Sequence, residues 1–184
     1  MKKLLFTFLI LSNMAHGQNP NFKPSKVSFD DFEQLVVKVK PYRNERLINL
    51  EDFLKMSKEK NVIILDSRSD FRFDRKHIKG AIHLAFTDFT QDNLLKLIPD
   101  VNTKILIYCN NNFDDDEIDF ASKISKPKTA LSQFAQQEKP IMLALNIPTF
   151  INLYGYGYRN IYELSELVNV KDPRIHFEGS VVKK

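Results

Sequence analysis

The sequence predicts an α/β domain with a mainly parallel sheet of about five strands flanked by helices. Apolar segments short enough to be strands alternate with helix-like segments along the chain, which is typical of this class. One of them, Val62–Leu65, is an unbroken apolar run that ends at Asp66, as in a strand covered on both faces. A length of 184 residues suits one domain with a sizeable core. Because such sheets bind ligands beyond the carboxyl ends of their strands, residues that directly follow a strand are the first candidates for function.

The N-terminus has the pattern of a secretory signal peptide. A positively charged start precedes the apolar run Leu4–Leu11, and Ala15 and Gly17 provide small residues at the spacing that signal peptidase requires. We therefore predict a signal peptide at residues 1–17, cleavage before Gln18, and a periplasmic or secreted protein. The alternative is an uncleaved membrane anchor, but a helix needs about 20 apolar residues to span a bilayer, and this run is shorter. No stable membrane insertion is expected after cleavage.

The charge of the chain predicts no nucleic-acid partner. The formal net charge is +4, and it becomes +2 when Lys2 and Lys3 leave with the signal peptide. Nucleic-acid-binding proteins carry a stronger positive charge or a basic stretch interleaved with exposed aromatic residues. The chain also has a single cysteine, Cys109, so no intramolecular disulfide can form, although export places the protein where disulfides persist. A lone thiol in an exported protein calls for a functional explanation.

The first half of the mature chain is predicted to contain an N-terminal extension, two strands and two helices. Residues 18–45 form the extension, in which apolar residues recur at helical spacing over 27–39. Leu47–Ile48 is predicted as a short strand that turns into a helix, with Asn49 as its N-cap. The run Val62–Asp66 follows as the next strand.

The second half of the chain continues the alternation. Ala81–Leu84 and Lys104–Tyr108 are predicted strands, and a helix at Asp92–Ile98 lies between them. A further helix over 148–153, with a proline in its first turn, precedes the last strand, which lies within Tyr158–Leu164. Asp66 and Cys109 lie at the carboxyl ends of two of these five strands.

Three motifs, in this order, resemble those of the rhodanese family. Leu65–Arg68 followed by His77–Ile82 is similar to the first motif, in which a strand-end Asp-x-Arg precedes a His-Ile-x-Gly-Ala element. Leu106–Cys109 resembles the strand that delivers the catalytic cysteine, and Gly157–Leu164 resembles the final glycine-tyrosine turn and strand. The resemblance implies a rhodanese-like fold, and we place that domain at residues 46–166.

The resemblance also implies a sulfurtransferase that passes sulfane sulfur through a persulfide on Cys109. In such an enzyme the thiolate attacks the outer sulfur of a small donor such as thiosulfate, and the sulfur then passes to a thiol acceptor. Backbone amides of the loop after the cysteine cradle the sulfur, and a nearby arginine is an accessory charge. The substrate-binding residues expected on this basis are Asn110, Asn111, Asn112, Phe113 and Arg68. No cofactor is expected, and one cysteine with scattered histidines provides no adequate ligand set for a metal.

Without the resemblance, Cys109 has two interpretations. The cysteine ends a buried strand and is followed by the polar loop Asn110–Asn112, so its sulfur is expected near several unpaired backbone amides. Such a nest favours an anion and therefore a thiolate or persulfide. In the other interpretation the cysteine is a small buried hydrophobic residue that only ends the strand.

The loop after Cys109 departs from the family pattern. Family members have glycine and arginine there, whereas this chain has three asparagines, Phe113 and then four carboxylates at Asp114–Glu117. Asparagine tolerates left-handed backbone conformations, so the loop can still be tight. The carboxylates are expected to raise the pKa of the thiol and to repel thiosulfate if they point inward. Arg68 either supplies the missing positive charge or forms a salt bridge with Asp66 or a neighbour.

The remaining segments have few functional features. Residues 114–140 are predicted as an insertion, part helix and part loop, near the mouth of the active site, and residues 167–184 as a C-terminal tail. The acidic patch Asp114–Asp119 is either a solvated helix start or a site for a hard cation such as calcium, but its spacing does not follow the calcium-loop pattern. His77 is expected to be structural, and His83 is either structural or functional.

Two other functions compete with sulfur transfer. One is a binding module that keeps the rhodanese fold without its chemistry, and the other is a different thiol-based enzyme, such as a reductase. The reductase has the weakest support because no resolving cysteine is present. The sulfurtransferase hypothesis predicts that Cys109 is reachable from solvent and reacts with small alkylating reagents. It also predicts that thiosulfate is a poorer donor than a neutral or less charged persulfide.

Overall fold

Residues 23–123 and 144–182 are described by a computed structural model, so the predicted signal peptide and residues 124–140 of the predicted insertion lie outside the described residues. The helices of the described part are α1 (Phe29–Asn44), α2 (Leu50–Met56), α3 (Asp70–Arg75), α4 (Gln91–Leu97) and α5 (Asn146–Gly155). Its strands are β1 (Leu47–Ile48), β2 (Val62–Asp66), β3 (His77–Ile78), β4 (Ile82–His83), β5 (Lys104–Tyr108), β6 (Phe113–Asp114), β7 (Ile161–Leu164), β8 (Val168–Asn169) and β9 (Phe177–Glu178).

Five strands form one parallel sheet in the order β1-β7-β5-β2-β4. These are the five strands that the sequence predicts, so an α/β fold with a five-stranded parallel sheet flanked by helices is confirmed. β5 is central, and its register places Ile107 beside Leu65 and Tyr108 beside Asp66. Because the strands all run in one direction, the residues that follow β2 and β5 meet at one edge of the sheet.

The sheet is buried on both faces. Ile105 and Ile107 of β5 contribute to one hydrophobic cluster, while Leu106 and Tyr108 contribute to another on the opposite face. The first cluster also contains Val39 of α1, Leu94 of α4 and Phe150 of α5, and the second contains Phe53 of α2, Phe113 and Ile175. Burial on both faces explains why the central strands are continuous apolar runs without polar alternation.

Three of the five helices of the described part begin with a side-chain N-cap, and α3 and α5 do not. The predicted N-cap Asn49 is confirmed, because its side-chain oxygen accepts a hydrogen bond from the Asp52 N–H at 2.9 Å. Ser28 and Thr90 cap α1 and α4 in the same way. Ser69 makes no such hydrogen bond at the start of α3, and the N-cap residue of α5, Leu145, has no side-chain acceptor. The N–H groups at this end of α5 therefore receive no side-chain cap from that residue.

The chain on either side of the sheet packs onto it. In α1, Val39 lies in the core and Arg43 forms an ion pair with Glu163 of β7 at 2.5 Å. In the C-terminal segment, β8 pairs with β6 and β9 pairs with β3, and Ile175 is buried between them along the chain. No helix within residues 23–123 and 144–182 has the length and apolar character needed to cross a membrane.

Candidate active site

Cys109 directly follows the central strand β5 and begins a tight 3-10 turn over Asn110–Asn112. The thiol is free, but the residue keeps only 1% of its accessible surface. The residue also lines a cavity that opens beside it. Access of solvent and of small alkylating reagents to the thiol therefore stays a prediction.

Backbone N–H groups from two separate segments approach the sulfur. The Leu145 N–H, at the start of α5, donates to Cys109 Sγ at 3.3 Å, and the Asn110 N–H donates to the same atom. Burial raises the pKa of the Cys109 thiol, and these two N–H groups and the Arg68 charge oppose that rise. Asp66 adds a small upward contribution to the same pKa. The sulfur is therefore surrounded by groups that favour its anionic form, but desolvation outweighs them.

Only part of the predicted cradle faces the sulfur. The Asn112 N–H donates to the Cys109 carbonyl at 3.1 Å, and the Phe113 N–H donates to the Asn110 carbonyl. These two amides close the 3-10 turn, and the Asn112 N–H also faces the Cys109 side chain. The amides that contact Sγ thus come from Asn110 and Asn112 of the predicted loop and from Leu145, which the sequence analysis did not identify.

The Asn112 side chain connects the loop to two other elements. Its Oδ1 accepts from the Cys109 N–H at 2.8 Å and from Asn146 Nδ2 at 2.9 Å. Its Nδ2 donates to the Leu164 carbonyl at the end of β7 at 2.6 Å. Both asparagines are buried. The first turn of α5 is thus fixed to the cysteine loop by a side-chain pair.

Arg68 forms an ion pair with Asp66, and every one of its N–H groups has an acceptor. Its Nη2 lies 2.7 Å from Asp66 Oδ2 and also donates to the Lys76 carbonyl at 2.6 Å, while Nε donates to the Asp66 carboxylate at 3.0 Å. Its Nη1 donates to Asn110 Oδ1 at 3.2 Å and to the Asp119 carbonyl at 3.1 Å. Of its two predicted roles, this geometry favours the salt bridge, since no donor is left for a substrate.

Tyr108 completes this buried cluster. Its hydroxyl donates to Asp66 Oδ2 and accepts from the Ile78 N–H at 3.1 Å. Burial, together with the neighbouring Asp66 charge, raises the pKa of the phenol well above its ordinary value. The hydroxyl therefore stays protonated and holds the ends of β2, β5 and β3 together.

The acidic residues after the loop point away from the sulfur. Asp116 forms an ion pair with Lys76 at 2.9 Å, and Asp115 forms one with Lys171 at 2.6 Å. Hydrogen bonding and charge from Lys171 lower the pKa of Asp115. None of the carboxylates at Asp114–Glu117 lines the cavity beside the thiol. The condition for their predicted effect on the thiol, that they point inward, is therefore not met at Asp115 and Asp116, because Lys171 and Lys76 bind them elsewhere.

A cavity of about 380 Å³ opens beside Cys109. Its wall combines apolar side chains such as Phe86 and Leu145 with hydroxyls such as Ser67 and Thr87. Arg72 and Lys123 bring positive charge to the same wall. The further lining residues are Arg68, Ser69, Ala85, Asn110, Ala121 and Ser122. Among the described residues, the lining contains bases and no carboxylate, so the cavity suits a small anion.

The two histidines singled out in the sequence are engaged within the fold. His77 Nδ1 lies 2.7 Å from the Phe73 carbonyl, and His83 Nδ1 lies 3.0 Å from the Asp66 carbonyl. Within residues 23–123 and 144–182, no three His, Cys, Asp or Glu side chains group as metal ligands would. The acidic patch shows ion pairs in place of a cation site.

Sequence reasoning missed Leu145, Asn146, Arg72 and Lys123. The first two lie just before Pro148, and the prediction of a helix start there was the available indication that free N–H groups are near. The two bases belong to α3 and to the segment after Phe120, and no periodic pattern connects them with the cysteine. Their role depends on tertiary contacts alone.

Comparison with known proteins identifies the domain. A family model described as "Rhodanese-like domain" matches residues 49–165, well over half of the chain. A protein named tRNA uridine(34) hydroxylase, from Aster yellows witches'-broom phytoplasma (strain AYWB), is 30% identical over 117 residues. That match covers 50% of this chain and 35% of the relative, so the chain spans about a third of the relative's length.

Two solved structures are also similar. A structure of rhodanese with anions from E. coli has 17% identity and a TM-score of 0.36, and the match covers 65% of this chain and 99% of that chain. A structure of the BH2092 protein from Bacillus halodurans has 15% identity and a TM-score of 0.40, covering 72% of this chain and 74% of that chain.

Proposed function

This chain belongs to the rhodanese-like domain family, and we propose that it is a sulfurtransferase that carries sulfane sulfur as a persulfide on Cys109. The observation that supports this most is the environment of Sγ, which accepts backbone N–H groups from Asn110 and Leu145 at the edge of a cavity. Such donors stabilise a thiolate and, after transfer, the terminal sulfur anion of a persulfide.

The proposed reaction has two displacement steps. The Cys109 thiolate attacks the outer sulfur of thiosulfate, so an Sγ–S bond forms while the S–S bond of the donor breaks and sulfite leaves with the electron pair. A thiolate acceptor then attacks the outer sulfur of the persulfide. This second step returns the cysteine thiolate and leaves the persulfide on the acceptor.

The charge of the cavity supports an anionic donor. Arg72 and Lys123 line it, and we propose that they replace the arginine that this chain lacks in its cysteine loop. This proposal reverses the expectation, made from the sequence, that thiosulfate is repelled. Neutralising either base is expected to lower the rate of the reaction with thiosulfate about tenfold, since a loss of about 1.4 kcal/mol of transition-state stabilisation is a factor of ten in rate.

Intact mass after exposure to thiosulfate or to a polysulfide tests the proposal. The mature protein is expected to gain the mass of one sulfur atom, and Cys109→Ser is expected to gain none. Arg72→Gln and Lys123→Gln are compared with Lys96→Gln, which changes an exposed lysine that is absent from the cavity wall. Equal thiosulfate rates in all three variants would contradict the role of the two bases while leaving the role of Cys109 intact.

The second candidate function is a binding module without sulfur chemistry. Burial of Cys109 and the raised pKa of its thiol favour this candidate, because both disfavour a reactive thiolate. If no donor adds sulfur to the wild-type protein, and Cys109→Ser folds as the wild type does, the binding-module function is the correct one and the sulfurtransferase function fails.

We also propose that the protein is exported, with cleavage before Gln18. The support is the N-terminal pattern of charge, apolar run and small residues. N-terminal sequencing of protein from the native host is expected to start at Gln18. A mature chain that starts at Met1 would overturn the proposal.

A further inference from the structure

We propose that the Leu145 N–H is a catalytic donor to the anionic sulfur of Cys109 and that Asn112 and Asn146 are the positioning residues that hold it there. The proposal deepens the sulfurtransferase function and rests on it for the catalytic consequence. The arrangement itself is a property of the fold and is testable without a sulfur donor.

The need for this donor follows from the turn that contains Asn110–Asn112. The Phe113 N–H is used within the turn, and the Asn112 N–H is shared between the carbonyl and the side chain of Cys109, so the loop offers the sulfur few amides that have no other acceptor. Leu145 contributes another at 3.3 Å from Sγ. It is also the N-cap of the ten-residue helix α5, where the helix dipole favours a negative charge.

Two buried asparagines set the position of this helix start. Asn146 Nδ2 donates to Asn112 Oδ1 at 2.9 Å, and the same oxygen accepts the Cys109 N–H at 2.8 Å. The orientation of the Asn112 amide is fixed, because its Nδ2 faces the Leu164 carbonyl at 2.6 Å and its oxygen faces two donors. One side chain therefore relates the cysteine backbone to the residue that follows Leu145.

The two charged side chains that shift the pKa of the Cys109 thiol, Arg68 and Asp66, are paired with each other. Arg68 favours the Cys109 thiolate and Asp66 opposes it, but the two form a closed ion pair. Their effects on the thiol are therefore partly compensating. The effect of the Leu145 N–H on the thiol is not compensated in this way. Its loss is therefore expected to change the pKa of the Cys109 thiol most clearly.

Leu145→Pro removes this N–H and little else of the backbone. Leu145 has φ of −80°, which lies within the range that proline adopts, about −65 ± 15°. Leu145→Ala is the matched control, because it shortens the side chain and keeps the N–H. The Cys109 thiol pKa is expected to rise by about one unit in Leu145→Pro and to stay within about 0.3 unit of wild type in Leu145→Ala.

Titration of the thiolate by ultraviolet absorbance measures this pKa, and Cys109→Ser provides the blank because the chain has no other cysteine. Circular dichroism and the thermal midpoint establish that each variant is folded. If Leu145→Pro does not fold, the asparagine variants below carry the test.

Asn146→Ala tests the positioning residues. It removes the bond to Asn112 and leaves the bonds of Asn112 to Cys109 and Leu164. Asn152→Ala is the matched control, because Asn152 lies on the same helix and donates only to the Pro148 carbonyl, at 2.8 Å, among its described bonds. Asn146→Ala is expected to raise the thiol pKa by about half a unit and to lower kcat for thiosulfate about threefold with little change in KM.

The outcomes separate this inference from the proposed function. If Leu145→Pro and Asn146→Ala fold and leave the thiol pKa at the wild-type value, the inference is overturned even when persulfide forms normally. If the pKa rises as expected but no donor loads the wild-type thiol, the N–H has its inferred effect on the sulfur, and the sulfurtransferase function fails. A fall in kcat for Asn152→Ala equal to that for Asn146→Ala would also overturn the role of Asn146.

Discussion

The carboxyl ends of β2 and β5 lie side by side, but their polar groups differ in how completely they are used. At the end of β2, Asp66 and Arg68 form a buried ion pair in which all the guanidinium N–H groups have acceptors. At the end of β5, the Cys109 sulfur accepts backbone N–H groups and borders a cavity. The Asp-x-Arg motif is thus engaged in holding the edge of the sheet, whereas the loop that departs from the family pattern begins at the cysteine sulfur.

The largest expected effect is a loss of stability when the Arg68–Asp66 ion pair at the end of β2 is removed. Arg68→Met leaves Asp66 buried without its partner, and removal of one member of a buried pair costs about 3–5 kcal/mol of unfolding free energy. Cys109→Ala, at the β5 end, is expected to cost about 1 kcal/mol, because it deletes one buried sulfur atom. Urea unfolding of both variants measures the difference.

A contrary result for these variants would change the assignment of Arg68. If Arg68→Met is as stable as the wild type but no longer forms a persulfide, the guanidinium serves the substrate. The structural role of the β2 end would then be wrong.

The second effect concerns pH at the β5 end. Because burial raises the pKa of the Cys109 thiol, only a small fraction is thiolate at neutral pH. Thiosulfate does not titrate in this range, so the rate of persulfide formation is expected to follow the thiolate fraction and to rise about tenfold per pH unit from pH 7 to about pH 9. Single-turnover mass measurements across this range test the slope.

A rate that is already constant at pH 7 would contradict this expectation. It would mean that the thiol is ionised at neutral pH and that the backbone donors outweigh desolvation. Cys109→Ser at each pH serves as the control for sulfur that adds elsewhere.

The fold was predictable from the sequence where local patterns decide it. The unbroken apolar run at Val62–Asp66 requires burial on both faces, and the side chain of Asn49 caps its helix by a contact three residues away. The segments that the sequence did not place are the short helix α3 and four strands of two residues, β3, β6, β8 and β9. β3 and β9 pair across about 100 residues, and no periodicity is visible in a strand of that length.

The site was predictable only in part, for a similar reason. The family motif located Cys109 and Asn110, but the second N–H donor belongs to Leu145, which is distant in the chain and has no distinctive side chain. Four carboxylates in a row indicated a repulsive loop, yet Asp116 pairs with Lys76, forty positions earlier. Ion pairs formed by tertiary structure cancel a charge pattern that is obvious in the sequence.

The smallest effect is expected from the acidic residues after the loop. Asp115 has φ of 66°, a conformation that asparagine adopts readily, so Asp115→Asn keeps the backbone as it is. Asp114, Asp115 and Asp116 do not line the cavity, and two of them pair with lysines outside it. The triple change to asparagine is therefore expected to leave the rates with thiosulfate and with a neutral persulfide donor within about twofold of wild type, since the Asp115 pair is exposed and screened by salt and the part-buried Asp116 pair lies outside the cavity. Under the same conditions, Arg72→Gln and Lys123→Gln are expected to lower the rate of persulfide formation from thiosulfate and to leave the rate with the neutral donor unchanged. If the triple change instead raises only the rate with thiosulfate, the carboxylates act on the sulfur. The contrast between the fully paired charges at the end of β2 and the basic cavity at the end of β5 is then wrong.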